Sequence, residues 1–189
     1  KFKSMEVKGI AVKTIQAFVK EKFPGEYNLW MESLPQESRS IIDNRISLTS
    51  WYPLESSLII PTKLIGDMFY NDISQGAFEL GIYSSVMAIK GVYKMLVMVS
   101  SPSFIVNRAS TIMSSYYRPC VMEITKRAKE IAVLSIVDFP KPSVIVDYRI
   151  FGWIKNTMEF SKFKNPKVEM VKSMGKGDST TDYVIRWSE

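Results

Sequence analysis

The sequence predicts an α+β protein in which a helical N-terminal bundle packs on a C-terminal four-stranded antiparallel sheet of ββαββ order. Residues 7–117 carry apolar stripes at three- and four-residue spacing, punctuated by Pro and Gly. From Cys120 onward the pattern turns alternating and β-branched, with turn signals at 126–129 and 175–178. A single helical run lies between the two alternating pairs. The 189 residues, 46% hydrophobic and 12% aromatic, suffice for one substantial core. A single domain over 1–189 is therefore expected, with 1–118 helical and 119–189 forming the ββαββ part.

The elements follow in order. In VKGIAVKTIQAFVKEKF, residues 7–23, Ala11, Ile15 and Phe18 share a face with Val12, Val19 and Phe23, opposite Lys13, Gln16, Lys20 and Glu21; Pro24-Gly25 ends this helix. EYNLWMESL and PQESRSIIDN read as two short helices, the second opened by Pro35, with Tyr27, Trp30 and Met31 on one apolar face. SWYPLES then places Trp51 and Tyr52 before Pro53 at the door of a further helix. Proline lacks the N–H for an i to i−4 bond, so Pro61 predicts a kink or break near Ile60.

Residues 73–90 form a helix made tolerant of close packing by Gly76, Gly81, Ser84, Ser85 and Ala88. Residues 92–100 predict another apolar helix, and Ser101-Pro102 caps and opens the next. CVMEITKRAKEIAVLSIVDF is a β-hairpin. Residues 141–163 form a helix with Val146, Ile150 and Trp153 along one side, and PKVEMVKSMGKGDSTTDYVIRW gives two strands around a Gly-Lys-Gly-Asp turn.

Composition excludes much chemistry. With no histidine, a Ser-His-Asp or Cys-His catalytic unit cannot be built, and the usual haem and zinc ligand is missing. One cysteine excludes an internal disulfide and agrees with a reducing, cytoplasmic setting. The most apolar stretch, 86–99, is interrupted by Lys90 and Lys94, so no transmembrane helix is expected, and the opening KFKSMEVKG has no secretory apolar region. The net charge of +6 is spread along the chain, and Lys162, Lys164, Lys167, Lys172 and Lys176 read as a solvated face rather than a nucleic-acid surface.

GKGD lacks the Gly-x4-Gly-Lys-Ser/Thr spacing of a phosphate loop and reads as a hairpin turn. Asp138, Asp147, Glu159 and Asp182 read as solvated or salt-bridged surface groups. Cys120 reads as a small buried hydrophobe, the alternative being a soft ligand or redox thiol beside Arg118. Eleven methionines fill a core or line an adaptable pocket.

KGIAVKTIQAFVKEKFPGE, SWYPLES, GVYKMLVMVSSPSFIVNRASTIMSSYY and GDSTTDYVIRW, in this order, resemble an uncharacterised paralogous family best known from myxobacteria. That family belongs with the haem-NO/oxygen-binding (H-NOX) and 4-vinyl-reductase-like domains. The resemblance spans nearly the whole chain and implies an H-NOX-like fold, with a cavity that relatives use for haem, small molecules or acyl chains. It also brings departures. Lys90 or Gly91 stands where H-NOX domains have a proximal histidine, DFPKPS replaces their Tyr-x-Ser-x-Arg motif, and no cysteine follows Gly177-Asp178 as in vinyl-reductase-like domains.

These readings predict a cytoplasmic, non-enzymatic regulatory or sensor domain that binds a hydrophobic small molecule, fatty-acyl or aromatic, and carries no cofactor, haem included. Trp51, Tyr52, Tyr83, Met87, Met95, Tyr116 and Trp153 are the expected pocket wall. A protein partner would read occupancy. The competing expectation is a ligand-free interaction module with a filled core, working as a homodimer.

Overall fold

The computed structural model describes residues 4–91 and 102–188, so the helix expected over 92–100 and the Ser101 cap lie outside the described residues. The chain opens with strand β1 (Glu6–Lys8), which runs into helix α1 (Gly9–Lys22). The helix starts at Gly9 rather than residue 7 because Val7 is committed to a sheet: it pairs with Tyr52 on one side and Tyr117 on the other. Glycine is required at the junction, since a Cβ at position 9 would lie 1.9 Å from the Ser47 carbonyl oxygen.

Helices α2 (Tyr27–Ser33) and α3 (Gln36–Asp43) follow. Strand β2 (Trp51–Pro53) then pairs with β1, and β3 (Tyr117–Arg118) completes a three-stranded antiparallel sheet of order β2-β1-β3. This sheet corrects the expectation of an almost wholly helical first part. Trp51 and Tyr52 do precede a helical run, which begins at Leu54, but they sit in a strand that leads into it.

Beyond β2 the chain winds without a break through a π-helical turn (Glu55–Ile59), α4 (Ile60–Ile65) and a second π-helical turn (Gly66–Tyr70). The kink expected at Pro61 does not sever the helix. The Ile60 amide donates to the Glu55 carbonyl five residues back, and the widened turn accommodates the ring that would crowd a regular one. Asn71, at φ 50°, stops the run, and the Asp72 side chain accepts from the Ser74 and Gln75 amides to cap α5 (Ile73–Lys90).

Helix α6 (Pro102–Tyr116) feeds β3 and then the second sheet, made of β4 (Val121–Ala128), β5 (Ile131–Asp138), β6 (Lys164–Lys172) and β7 (Thr181–Ser188). Its order is β4-β5-β7-β6 with every neighbour antiparallel. Helix α7 (Val144–Phe160) connects β5 to β6 and packs against α5. The turn between β6 and β7 is a short 3-10 segment, Met174–Lys176, closed by Gly177 at φ 102°, where glycine avoids the strain a side chain would add.

One hydrophobic cluster joins the parts, running from Val7, Ile15 and Trp30 through Leu58, Leu80 and Ile154 to Leu134 and Tyr183. Trp30 is fully buried and its indole N–H donates to the Pro61 carbonyl at 3.4 Å, tying α2 to α4. The class is α+β, as expected.

Candidate functional site

Three spaces lie end to end between α1, α5, α6, α7 and the larger sheet. The innermost, about 20 Å³, is walled by Ile112 and Met113 of α6, Met122 of β4, Leu134 of β5 and Trp153 and Met158 of α7. The second, about 10 Å³, shares Met113 and Trp153 with the first and adds Ala11, Ser84, Tyr116, Tyr117 and Arg149. The third, about 300 Å³, shares Ser84 and Tyr116 with the second and reaches Lys13, Leu48, Met87 and Gly91. The three spaces therefore lie next to one another, wall to wall, from Lys13 to the sheet.

Arg149 lines the middle space. The residue is 2% exposed, and its Nη2 donates to the Ala11 carbonyl at 2.8 Å and to Thr14 Oγ1 at 2.9 Å. Its Nη1 is buried and has no hydrogen-bond partner. Burial lowers its pKa, yet a guanidinium keeps its proton inside proteins. The adjoining Tyr117 is buried and its phenol is pushed up, chiefly by desolvation, so it stays neutral.

Two residues earlier on α7, Asp147 corrects the expectation of a surface carboxylate. It is 4% exposed. Its Oδ2 accepts from Ser173 Oγ at 2.6 Å and the Gly175 amide at 2.9 Å, its Oδ1 from Thr181 Oγ1 at 3.0 Å, and its carbonyl from the Tyr183 hydroxyl at 2.9 Å. Burial pushes its carboxyl up, opposed by these donors and by Lys176. The knot holds the start of α7, and hence Arg149, against the β6–β7 turn. Asp182 is salt-bridged to Lys172 at 3.3 Å.

The residues expected to form one wall fall in different places. Tyr116 and Trp153 meet, their ring centroids 6.3 Å apart, and Met87 lies on the outer space. Tyr83 faces another depression and donates to Glu21 Oε2 at 2.7 Å; burial and that carboxylate raise its pKa to about 12. Trp51 lies against two cations, with Lys8 Nζ 4.4 Å and the Arg118 guanidinium carbon 4.1 Å from its ring centroid. Tyr52 lines an open groove beside α3, and its hydroxyl accepts from the Ser47 amide at 2.9 Å. Met95 lies outside the described residues.

Sequence reasoning missed Arg149, whereas Met113 was among the methionines expected to fill a core or line a pocket. A signal for Arg149 existed, because VIVDYRIFGWI sets two charged residues inside an apolar helix. Cys120 is buried, and desolvation followed by Asp138 pushes its thiol up to about 12, which disfavours the thiolate that a soft ligand or redox centre needs. Among the described residues no group of His, Cys, Asp and Glu could hold a metal ion. None of their helices is long and apolar enough to cross a membrane.

No family model matches the sequence and no curated protein matches it. Solved structures do. An H-NOX protein from S. oneidensis in the Fe(II)NO ligation state superposes with a TM-score of 0.69 at 13% identity, covering 96% of this chain and 99% of that one. The Fe(II) unliganded H-NOX protein from K. algicida gives 0.63 at 13% identity over 96% and 97%. This chain has the H-NOX fold.

The fold corrects the expectation of no cofactor. Besides these Fe(II) proteins, a third neighbour, with a TM-score of 0.66, 13% identity and coverage of 96% and 99%, is described by haem redox potential and porphyrin distortion. Missing histidine argues only against histidine-ligated iron. The residues present do not make a ready porphyrin site, however. The inner spaces of about 20 and 10 Å³ are far too small, and the outer one offers Met87 and Tyr116 as its iron-ligating side chains among the described residues. Haem therefore stands among the molecules against which the site is to be tested.

Proposed function

We propose that the chain is a non-catalytic sensor domain of H-NOX fold that takes a hydrophobic small molecule, fatty-acyl or aromatic, along the row of spaces from Met87 to Trp153. Occupancy would move α6 and α7 against the sheet and so be reported to a protein partner. The observation that carries this reading is the sharing of Tyr116 and Ser84, then of Met113 and Trp153, by successive spaces. Three methionines, Met113, Met122 and Met158, wall the inner end, and their flexible thioethers can repack around a guest. Membership of the uncharacterised paralogous family and residence in the cytoplasm belong to the same proposal.

Native mass spectrometry of the purified protein, with visible absorption and identification of released molecules, tests it. A stoichiometric apolar molecule, or a gain in melting temperature with dodecanoate or haem, is the expected result; a Soret band would name the porphyrin. An empty protein that no member of the panel stabilises overturns the reading.

A second reading, a filled-core interaction module acting as a homodimer, is favoured by the small inner spaces. About 20 Å³ and 10 Å³ hold little more than one water each. Exposed Leu29, Phe160 and Val171 would then supply contact area.

A further inference from the structure

We propose that Arg149 receives the carboxylate of the ligand, which makes that ligand a long-chain monocarboxylate whose tail lies beside Trp153 and Met113. This inference rests on the pocket reading above and names the chemistry of its occupant.

The argument starts from an unbalanced charge. Arg149 is buried, remains a cation, and spends Nη2 on two neutral acceptors while Nη1 has none. A buried cation is costly unless an anion meets it. Asp147, the acid nearest along α7, has both oxygens engaged by Ser173, Gly175 and Thr181. Among the described residues no carboxylate forms an ion pair with Arg149, and the sequence of 92–101 contains no Asp or Glu. Water could occupy Nη1 but would leave the charge uncompensated. A carboxylate supplies both the acceptor and the opposite charge.

The surroundings fit a head and a tail. Arg149 lines the middle space, whose far wall, Trp153 and Met113, is shared with the inner space. Among the described residues lining it, Thr157 carries the one hydroxyl, already bonded to the Trp153 carbonyl at 2.8 Å and paired with Ser85 Oγ at 2.9 Å. On the other side the outer space carries Lys13 at its rim, a second cation to draw an anion inward. An apolar chain with one anionic end matches this sequence of environments, whereas an uncharged aromatic leaves Arg149 as it is.

The test is calorimetric titration of the full chain with dodecanoate, methyl dodecanoate and dodecanol. Dodecanoate is expected to bind roughly ten- to a hundred-fold more tightly than the ester or alcohol, the scale of a charged hydrogen bond. Arg149→Gln is expected to remove that preference while Lys13→Gln leaves most of it. Equal affinity for acid and ester overturns the role of Arg149 and leaves the cavity reading standing. A preference that vanishes in Lys13→Gln and survives in Arg149→Gln also overturns it. Failure of all three probes overturns the role of Arg149 together with the fatty-acyl form of the pocket reading, whose aromatic form the native mass spectrometry decides. Should Arg149→Gln fail to fold by circular dichroism, the acid-against-ester comparison on the unaltered protein decides.

Discussion

Gly81 and Gly152 interlock α5 and α7 reciprocally. A Cβ on Gly81 would lie 2.1 Å from the Arg149 carbonyl oxygen, and a Cβ on Gly152 would lie 2.1 Å from the Phe78 carbonyl oxygen. Each glycine thus faces the carbonyl three residues before the other. The obstacle on both sides is backbone, which cannot rotate away as a side chain can. Ser85 and Thr157 add a buried hydroxyl pair at 2.9 Å one turn further along.

Gly152→Ala is therefore expected to cost about 3 kcal/mol or more, since α5 and α7 must separate to admit one methyl group. Urea unfolding measures it. A loss below ~1 kcal/mol would show that the crossing is looser than described.

Asp147→Ala is expected to cost about 2–4 kcal/mol by leaving Ser173, Gly175 and Thr181 without their acceptor. The pH dependence carries a definite sign. Because the folded carboxyl titrates above its ordinary 3.8, the folded state holds the proton more tightly than the unfolded state, and stability falls as pH rises from there through the folded value. Relative to Asp147→Asn, the unaltered protein should be at its best below pH 3.8 and lose ground above it. Paired denaturation curves across that range would contradict the account if the difference stayed flat or rose.

Trp51→Leu should lower stability by roughly 1 kcal/mol through loss of the stack with Lys8 and Arg118, and leave dodecanoate affinity unchanged. Tyr116→Ala, whose ring bounds both outer and middle spaces, should weaken dodecanoate binding instead. Thermal unfolding and titration of the two variants separate a strand bracket from a pocket wall.

The Cys120 thiol should resist a disulfide reagent such as dithiobis-nitrobenzoate at pH 8 in the native protein and react fully once urea is added. Its raised pKa also means that the unfolded thiol ionises first, so above pH 9.0 it favours unfolding. Cys120→Ala should flatten that alkaline loss.

Long periodic segments were readable. The stripe of α1, the run of 73–90, the hairpin from Val121 and the helix around Ile150 each repeat their period several times, and the fold class follows from them. The small sheet was not readable, since strands of two or three residues are too short to show an alternation, and Trp51-Tyr52 before Pro53 signalled the coming helix but not the strand that leads into it. Pro61 signalled a disturbance but not its form, because a π turn leaves the apolar spacing almost intact. At the site, aromatic and methionine content pointed to Tyr116, Met87 and Trp153. It could not separate these from Tyr83, committed to Glu21, or from Trp51, committed to two cations. The charged group that lines the middle space was overlooked because solvated charge was the default.

Strand β1 is the middle of the small sheet, and Glu6 takes a charged hydrogen bond from Arg118 at 2.7 Å across 112 positions of chain. Synthesis runs from the N-terminus, so the segment that opens α1 emerges from the ribosome long before its partner exists. Until residue 118 is out, Val7 has β2 on one side and an unsatisfied edge on the other. Strand β3, directly after α6, thus closes a clasp on a segment made 112 positions earlier, and the helical half becomes complete only as the second sheet begins to be made.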